Sequence, residues 1–295
     1  MEIKMKKTKA LSLLLSLLLL LSSLTLPLLA VDAETAADPE QTQTDSADAP
    51  AEDDSVPEDR LLSSRTSFSV AAKAALLIDL NTGRAVYEQD ADERVYPASL
   101  TKIMTCLIAL ENGNLSDVVT VSESALADLD EDSSVAGLVV GEQMTLENLL
   151  YCMMVVSGND ACNVIAEHVA GSVTDFVRMM NQRAYELGCT NTHFNNPHGL
   201  HDESHYTTAR DLAIITQAAL KSENFRQIVD TYEYKLPDDN MRQNIPKLKT
   251  TNMLIYQSMS NSLYYPRAHG IKTGYTSQAG RCVISEATSD GLDLL

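Results

Sequence analysis

Pro97-Ala98-Ser99-Leu100-Thr101-Lys102 runs straight into Ile103-Met104-Thr105-Cys106-Leu107-Ile108-Ala109-Leu110, and the reading of this chain turns on that stretch. The second half is an unbroken apolar run, which predicts a buried helix. Pro97 suits a helix entrance, with Ser99 at or near the first turn. Residues three apart on a helix share a face, so Ser99 and Lys102 point at one place from one rigid element. A serine hydroxyl is a weak nucleophile until a base takes its proton. A lysine serves as that base only when neutral, and burial or a second cation nearby depresses its pKa. The helix N-terminus adds a positive partial charge that favours an oxyanion beside Ser99. Ser-x-x-Lys is common by chance, and the plain alternative is an N-terminal Ser and a surface Lys on an ordinary helix. Later stretches decide between the two.

Toward the N-terminus, Ala74–Asp79 and Arg84–Tyr87 around Asn81-Thr82-Gly83 predict a hairpin in a folded part that begins near Ser67. Residues 34–66 form an expected disordered, acidic linker: Glu34–Asp59 is mostly Asp, Glu, Thr, Ala and Pro, with no Lys or Arg, and buries too little apolar area to offset chain entropy. Residues 1–33 have the make-up of an export signal. Lys4, Lys6, Lys7 and Lys9 precede the leucine-rich run Leu11–Leu29, and Val31 and Ala33 suit cleavage after Ala33. An uncleaved N-terminal anchor is the alternative. Either way the remainder is expected outside the cytoplasmic membrane.

Toward the C-terminus, a looser stretch, Val118–Val140, carries Ser122, Glu123 and Asp128–Asp132. Thr145 then predicts an N-cap with Glu147 in the first helical turn. That helix ends at Ser157-Gly158-Asn159-Asp160. Apolar helices Ala161–Ala170 and Val173–Leu187 follow, then a polar loop, and a helix capped by Thr208 with Asp211. Glu223–Met259 gives no clear pattern. Gly270–Tyr275 and Arg281–Ser285 predict two strands joined by a turn. Strands at both ends and helices between fit an α+β domain whose terminal strands share one antiparallel sheet.

The 295 residues are 44% hydrophobic, ample for one or two folded units, and a net charge of −19 argues against nucleic acid as a partner. Five widely spaced cysteines lack zinc spacing. Cys106, Cys152 and Cys162 sit in apolar runs and are expected as buried free thiols. His198, His201 and His205, with Asp202 and Glu203, lie on a loop without a His-Glu-x-x-His helix. Ordinary loop histidines are expected, and no metal or other cofactor.

Ser157-Gly158-Asn159 supplies a hydroxyl able to pass a proton and an amide able to fix a substrate carbonyl and the Lys102 ammonium. Lys272-Thr273-Gly274, on a strand, supplies a cation able to hold a carboxylate and depress Lys102. It also supplies a side-chain-free position where an extended substrate can pair. Each motif alone has a bland reading, a helix connector or a strand ending in an exposed Lys. In this order, Ser-x-x-Lys, Ser-x-Asn and Lys-Thr-Gly form the set shared by class A β-lactamases and penicillin-binding proteins.

The wording of Pro97–Lys102, Ser157–Ala161, Asn196-Pro197-His198-Gly199-Leu200 and Gly270–Thr276 resembles the serine-type D-alanyl-D-alanine carboxypeptidases, the low-molecular-weight penicillin-binding proteins. The resemblance covers roughly Ala71–Ser285. It implies a five-stranded antiparallel sheet flanked by helices beside an all-helical subdomain, with residues 67–295 as the catalytic domain. It implies Ser99 as acylated nucleophile, Lys102 as its base, and Ser157 and Asn159 as proton-relay and positioning pair. Lys272 would bind substrate with Thr273 and Gly274, and the N–H groups of Ser99 and Tyr275 would form the oxyanion hole. Peptidoglycan stem peptides are the implied substrates and β-lactams the implied inhibitors. Members usually continue into a small β-rich domain, often with an amphipathic membrane anchor. This sequence stops at Gly291-Leu292-Asp293-Leu294-Leu295, read as the start of a returning strand, so a fragment truncated at its C-terminal end is expected, with any peripheral membrane association encoded outside it. A β-lactamase is one rival, but the Glu-x-x-Leu-Asn pattern of class A enzymes is absent between Asn159 and Lys272. A non-catalytic penicillin-sensing or wall-binding module is the other.

Overall fold

The computed structural model describes residues 69–295 except 128, 130–132 and 259. The expected leader and acidic linker lie outside these residues, as do Asp128 and Asp130–Asp132 of the looser stretch. The folded unit is Val70–Leu295.

Two hairpins form most of one antiparallel sheet. β1 (Ala75–Asp79) pairs with β2 (Arg84–Gln89), and the Asp79 carboxylate accepts from Asn81 N (2.9 Å) and Thr82 Oγ1 (2.8 Å) to close the turn. β7 (Ala268–Thr276) pairs with β8 (Gly280–Ser289). The short β9 (Leu292–Leu294) lies between them, giving the order β2-β1-β9-β8-β7. Ile78 and Leu295 exchange both backbone hydrogen bonds, at 2.8 and 2.9 Å, and Leu80 N donates to Asp293 O (2.7 Å). The expected union of the terminal strands in one sheet is present, and the last residues complete it.

The central helix is α1 (Lys102–Asn112), whose residues Lys102–Ala109 are all buried. A helix apolar on every side must be covered on every side. It contacts α3 (Leu146–Val155), α4 (Asn159–Ala170), α5 (Val173–Glu186), α6 (Ala209–Ala219) and α7 (Glu223–Val229). α6 also packs on β1 and α7 on β7. Side-chain N-caps start the helices: Thr145 accepts from Asn148 N, Ser172 from Asp175 N, Thr208 from Asp211 N and Ser222 from Phe225 N. Each such cap contributes about 1 kcal/mol.

Three local features differ from expectation. Residues 98–101 form a 3-10 turn, so Lys102, not Ser99, opens the α-helix. α4 begins at Asn159, two residues before the apolar run. The looser stretch contains β3 (Val118–Thr120) and α2 (Glu123–Ala127), with β4 (Gln143–Thr145) pairing to β3. The unpatterned Glu223–Met259 segment holds α7 and the ladder β5 (Glu233–Tyr234) with β6 (Leu248–Lys249). Tyr234 there stacks on Tyr151 at 3.7 Å between centroids. Cys106, Cys152 and Cys162 are buried free thiols, as is Cys189. Among the described residues no helix is long and apolar enough to cross a membrane.

Candidate active site

A 3-10 turn has three residues per turn, so positions i and i+3 eclipse. That puts Lys102 directly over Ser99, and Lys102 Nζ lies 3.1 Å from Ser99 Oγ. Lys102 is completely buried. Its Nζ also donates to Asn159 Oδ1 (2.7 Å) and His198 O (2.8 Å). An ammonium fills all three bonds. A neutral amine keeps two N–H donors for the fixed carbonyl oxygens and turns its lone pair to the Ser99 hydroxyl. Burial lowers the Lys102 pKa, opposed by Cys162 and Asp160. The Cys162 thiol is itself pushed up to about 12 by burial. It is therefore uncharged at neutral pH, and the Asp160 carboxylate is the opposing charge that operates there.

Ser157 has φ +65°, a left-handed conformation that turns the chain sharply between α3 and α4. Asn159 N donates to Ser134 O (2.7 Å). The buried Asp160 carboxylate accepts from the backbone N–H groups of Ala136 (2.9 Å), Gly137 (2.9 Å), Leu138 (3.0 Å) and Ala161 (2.9 Å). It straps residues 136–138 onto the turn that carries Ser157 and Asn159. Sequence reading quotes Asp160 only where one helix ends and within the Ser157–Ala161 wording, and misses this function. Among the described residues the Ser157 hydroxyl makes no hydrogen bond to Ser99 or Lys102.

β7 is the outer strand of the sheet and forms the facing wall. Lys272 is 1% exposed and its Nζ donates to Thr273 O (2.9 Å). Burial first, and the Lys102 charge second, hold Lys272 well below an ordinary lysine. Repulsion between two ammonium groups is mutual, and burial is the first cause of the lowering in each lysine. Thr273 Oγ1 lies 2.6 Å from Thr251 Oγ1, and Thr251 N donates to Val155 O (3.3 Å), joining this wall to the end of α3. A Cβ on Gly274 would sit 3.0 Å from Ser99 N and 3.2 Å from Ala98 Cβ. The glycine therefore lets β7 lie against the Ser99 turn, a packing reason the sequence did not suggest. Tyr275, next along, is exposed.

The loop 195–205 closes the third side. Asn196 Oδ1 accepts from His198 N (3.3 Å) and Gly199 N (2.7 Å), and Thr105 Oγ1 donates to Pro197 O (2.6 Å). The histidines are structural in their contacts: His198 and His205 are buried and hydrogen-bonded, and His201 meets Tyr96 edge-on.

Fold and cluster define a class: an α+β domain in which a serine–lysine pair at a buried helix start faces a lysine–threonine–glycine strand at the edge of the sheet. The sequence profile of the D-alanyl-D-alanine carboxypeptidase family matches residues 62–295, and the chain belongs to that family. It is 41% identical over 224 residues to the D-alanyl-D-alanine carboxypeptidase DacF of Bacillus subtilis, covering 73% of this chain and 54% of that protein. Identity to DacA of Escherichia coli K12 is 35% over 234 residues, 77% of this chain and 55% of that protein. The fold is similar to the crystal structure of the Streptomyces K15 DD-transpeptidase. The TM-score is 0.70 at 32% identity, over 78% of this chain and 89% of that one. The chain spans about half the length of DacF and DacA.

Proposed function

We propose that this protein removes the terminal D-alanine from peptidoglycan stem peptides through an acyl-enzyme on Ser99, and that β-lactams acylate the same serine. The observation that carries the reading is the buried Lys102 amine on Ser99 Oγ, within a chain of this family. Neutral Lys102 takes the hydroxyl proton as Oγ attacks the D-Ala–D-Ala carbonyl carbon. Asn159 Oδ1 and His198 O then hold the new ammonium, and the N–H groups of Ser99 and Tyr275 receive the oxyanion. The C–N bond breaks as Lys102 returns the proton through Ser157 to the leaving amine, and free D-alanine departs. Water, deprotonated by Lys102, then hydrolyses the ester. Lys272 and Thr273 hold the substrate carboxylate, whose negative charge restores the ammonium that burial disfavours on Lys272. The strand edge at Gly274 aligns the peptide. Such a reaction belongs outside the cytoplasmic membrane, at the cell wall, in keeping with the leader-like residues 1–33.

The experiment is D-alanine release from a D-Ala-D-Ala-ending peptide, run beside penicillin turnover and labelling. We expect release, slow penicillin turnover and covalent label on Ser99 that is lost in Ser99→Ala. Fast penicillin turnover would make it a β-lactamase. Labelling without D-alanine release would make it a penicillin-sensing module.

A further inference from the structure

The Ala98 carbonyl and the Ser99 N–H belong to one planar peptide unit, so whatever fixes the first aims the second. Ala98 O accepts from Thr101 Oγ1 at 2.8 Å. Thr101 is completely buried, and its Oγ1 lies 2.9 Å from Nε2 of His205, itself 2% exposed. The direction of this chain is set at its far end. Asn195 N donates to His205 Nδ1 (3.2 Å), so Nδ1 is the acceptor and the ring proton sits on Nε2. Nε2–H therefore donates to Thr101 Oγ1, and the threonine proton goes on to Ala98 O. Burial pushes the His205 pKa down to about 4, keeping the ring neutral and the direction fixed at working pH.

The peptide unit needs this support. Ala98 has φ +48°, which residues with a Cβ rarely adopt unless their surroundings hold them there. The backbone of Gly199 covers the carbonyl so closely that a Cβ would lie 1.8 Å from Ala98 O. Hydrogen bonds in series polarise one another, and donation to a peptide carbonyl makes the N–H of the same unit a stronger donor.

We propose that His205 and Thr101 are positioning residues, a buried two-step relay that aims the Ser99 N–H at the oxyanion and strengthens it as a donor. The proposal rests on the reading of Ser99 as the acylated nucleophile. Its test is kcat and KM for D-alanine release by wild type, Thr101→Val, Thr101→Ser, His205→Phe and the Thr101→Val/His205→Phe double variant, with Tm measured for each. Removing a whole oxyanion donor costs ~10²–10³ in kcat. Weakening one should lower kcat about 10- to 100-fold in Thr101→Val, with KM nearly unchanged. Thr101→Ser should restore most of the rate. The double variant should be no slower than Thr101→Val, because both break one chain. His205→Phe repeats the test if Thr101→Val does not fold. Unchanged kcat in the folded single variants, or losses that multiply in the double, would overturn the relay. A wild type that releases no D-alanine would overturn the reading beneath it.

Discussion

Two glycines border the Ser99 turn and meet different neighbours. A Cβ on Gly199 would lie 1.8 Å from the Ala98 carbonyl oxygen, and Gly199 has φ +90°. Backbone cannot yield there, so Gly199→Ala should cost about 3 kcal/mol or more and abolish acylation, read as Tm and the rate of penicillin labelling. A Cβ on Gly274 would lie 3.0 Å from Ser99 N, at an ordinary strand φ. Gly274→Ala should spare Tm and still slow acylation, since a shift of a few tenths of an ångström moves β7 off Ser99, the proposed nucleophile. Asp160 bears on Lys102, the proposed base. Its carboxylate favours the charged form of Lys102. Removing that charge in Asp160→Asn lowers the Lys102 pKa further, so the acidic limb of kcat/KM should move to lower pH as the rate falls. A lower rate with an unmoved limb would reduce Asp160 to a strap.

At the scale of elements, the loop 195–205 carries the acid sensitivity. His205 and His198 are pushed down to about 4 and about 3, in each case chiefly by burial, from the ordinary value of about 6.5. Their neutral burial stabilises the fold fully above pH ~6.5, and that contribution is lost as pH falls toward the folded values. Tm should drop between pH 6.5 and 4, and more gently in His205→Phe. This loop also marks where the sequence stops being legible. The β1–β2 hairpin, the caps at Thr145 and Thr208 and the apolar α1 can be read because a few adjacent residues dictate them. The 3-10 turn cannot, because Ala98 is held at positive φ by groups from a distant loop. α7 and the β5–β6 ladder are set by packing, such as Tyr234 on Tyr151. In the site, Ser99, Lys102, Asn159 and Lys272 stand out as motifs. Asp160, Thr251 and His205 do not, because their partners lie 22, 22 and 104 residues away, and for Asp160 those partners are backbone amides that no side-chain pattern announces.

For the whole molecule the sheet order is decisive. Among the described residues, β9 alone joins the β1–β2 hairpin to the β7–β8 hairpin. Removing Gly291–Leu295 would strip Ile78 and Leu80 of their backbone partners and leave two separate two-stranded units, which are marginal on their own. Tm should fall by about 10 °C, the equivalent of roughly 3 kcal/mol at this size. An unchanged Tm would mean the helices hold both hairpins without it. The same closure governs timing. A chain emerging from its N-terminus presents Ser99 early, but the loop that seats the Lys102 amine and the strand that backs the serine amide arrive much later. Long-range closures of this kind are slow to form. On the proposed reading, Ser99 stays idle until residues 195–205 and 268–276 have been made and have folded back onto it.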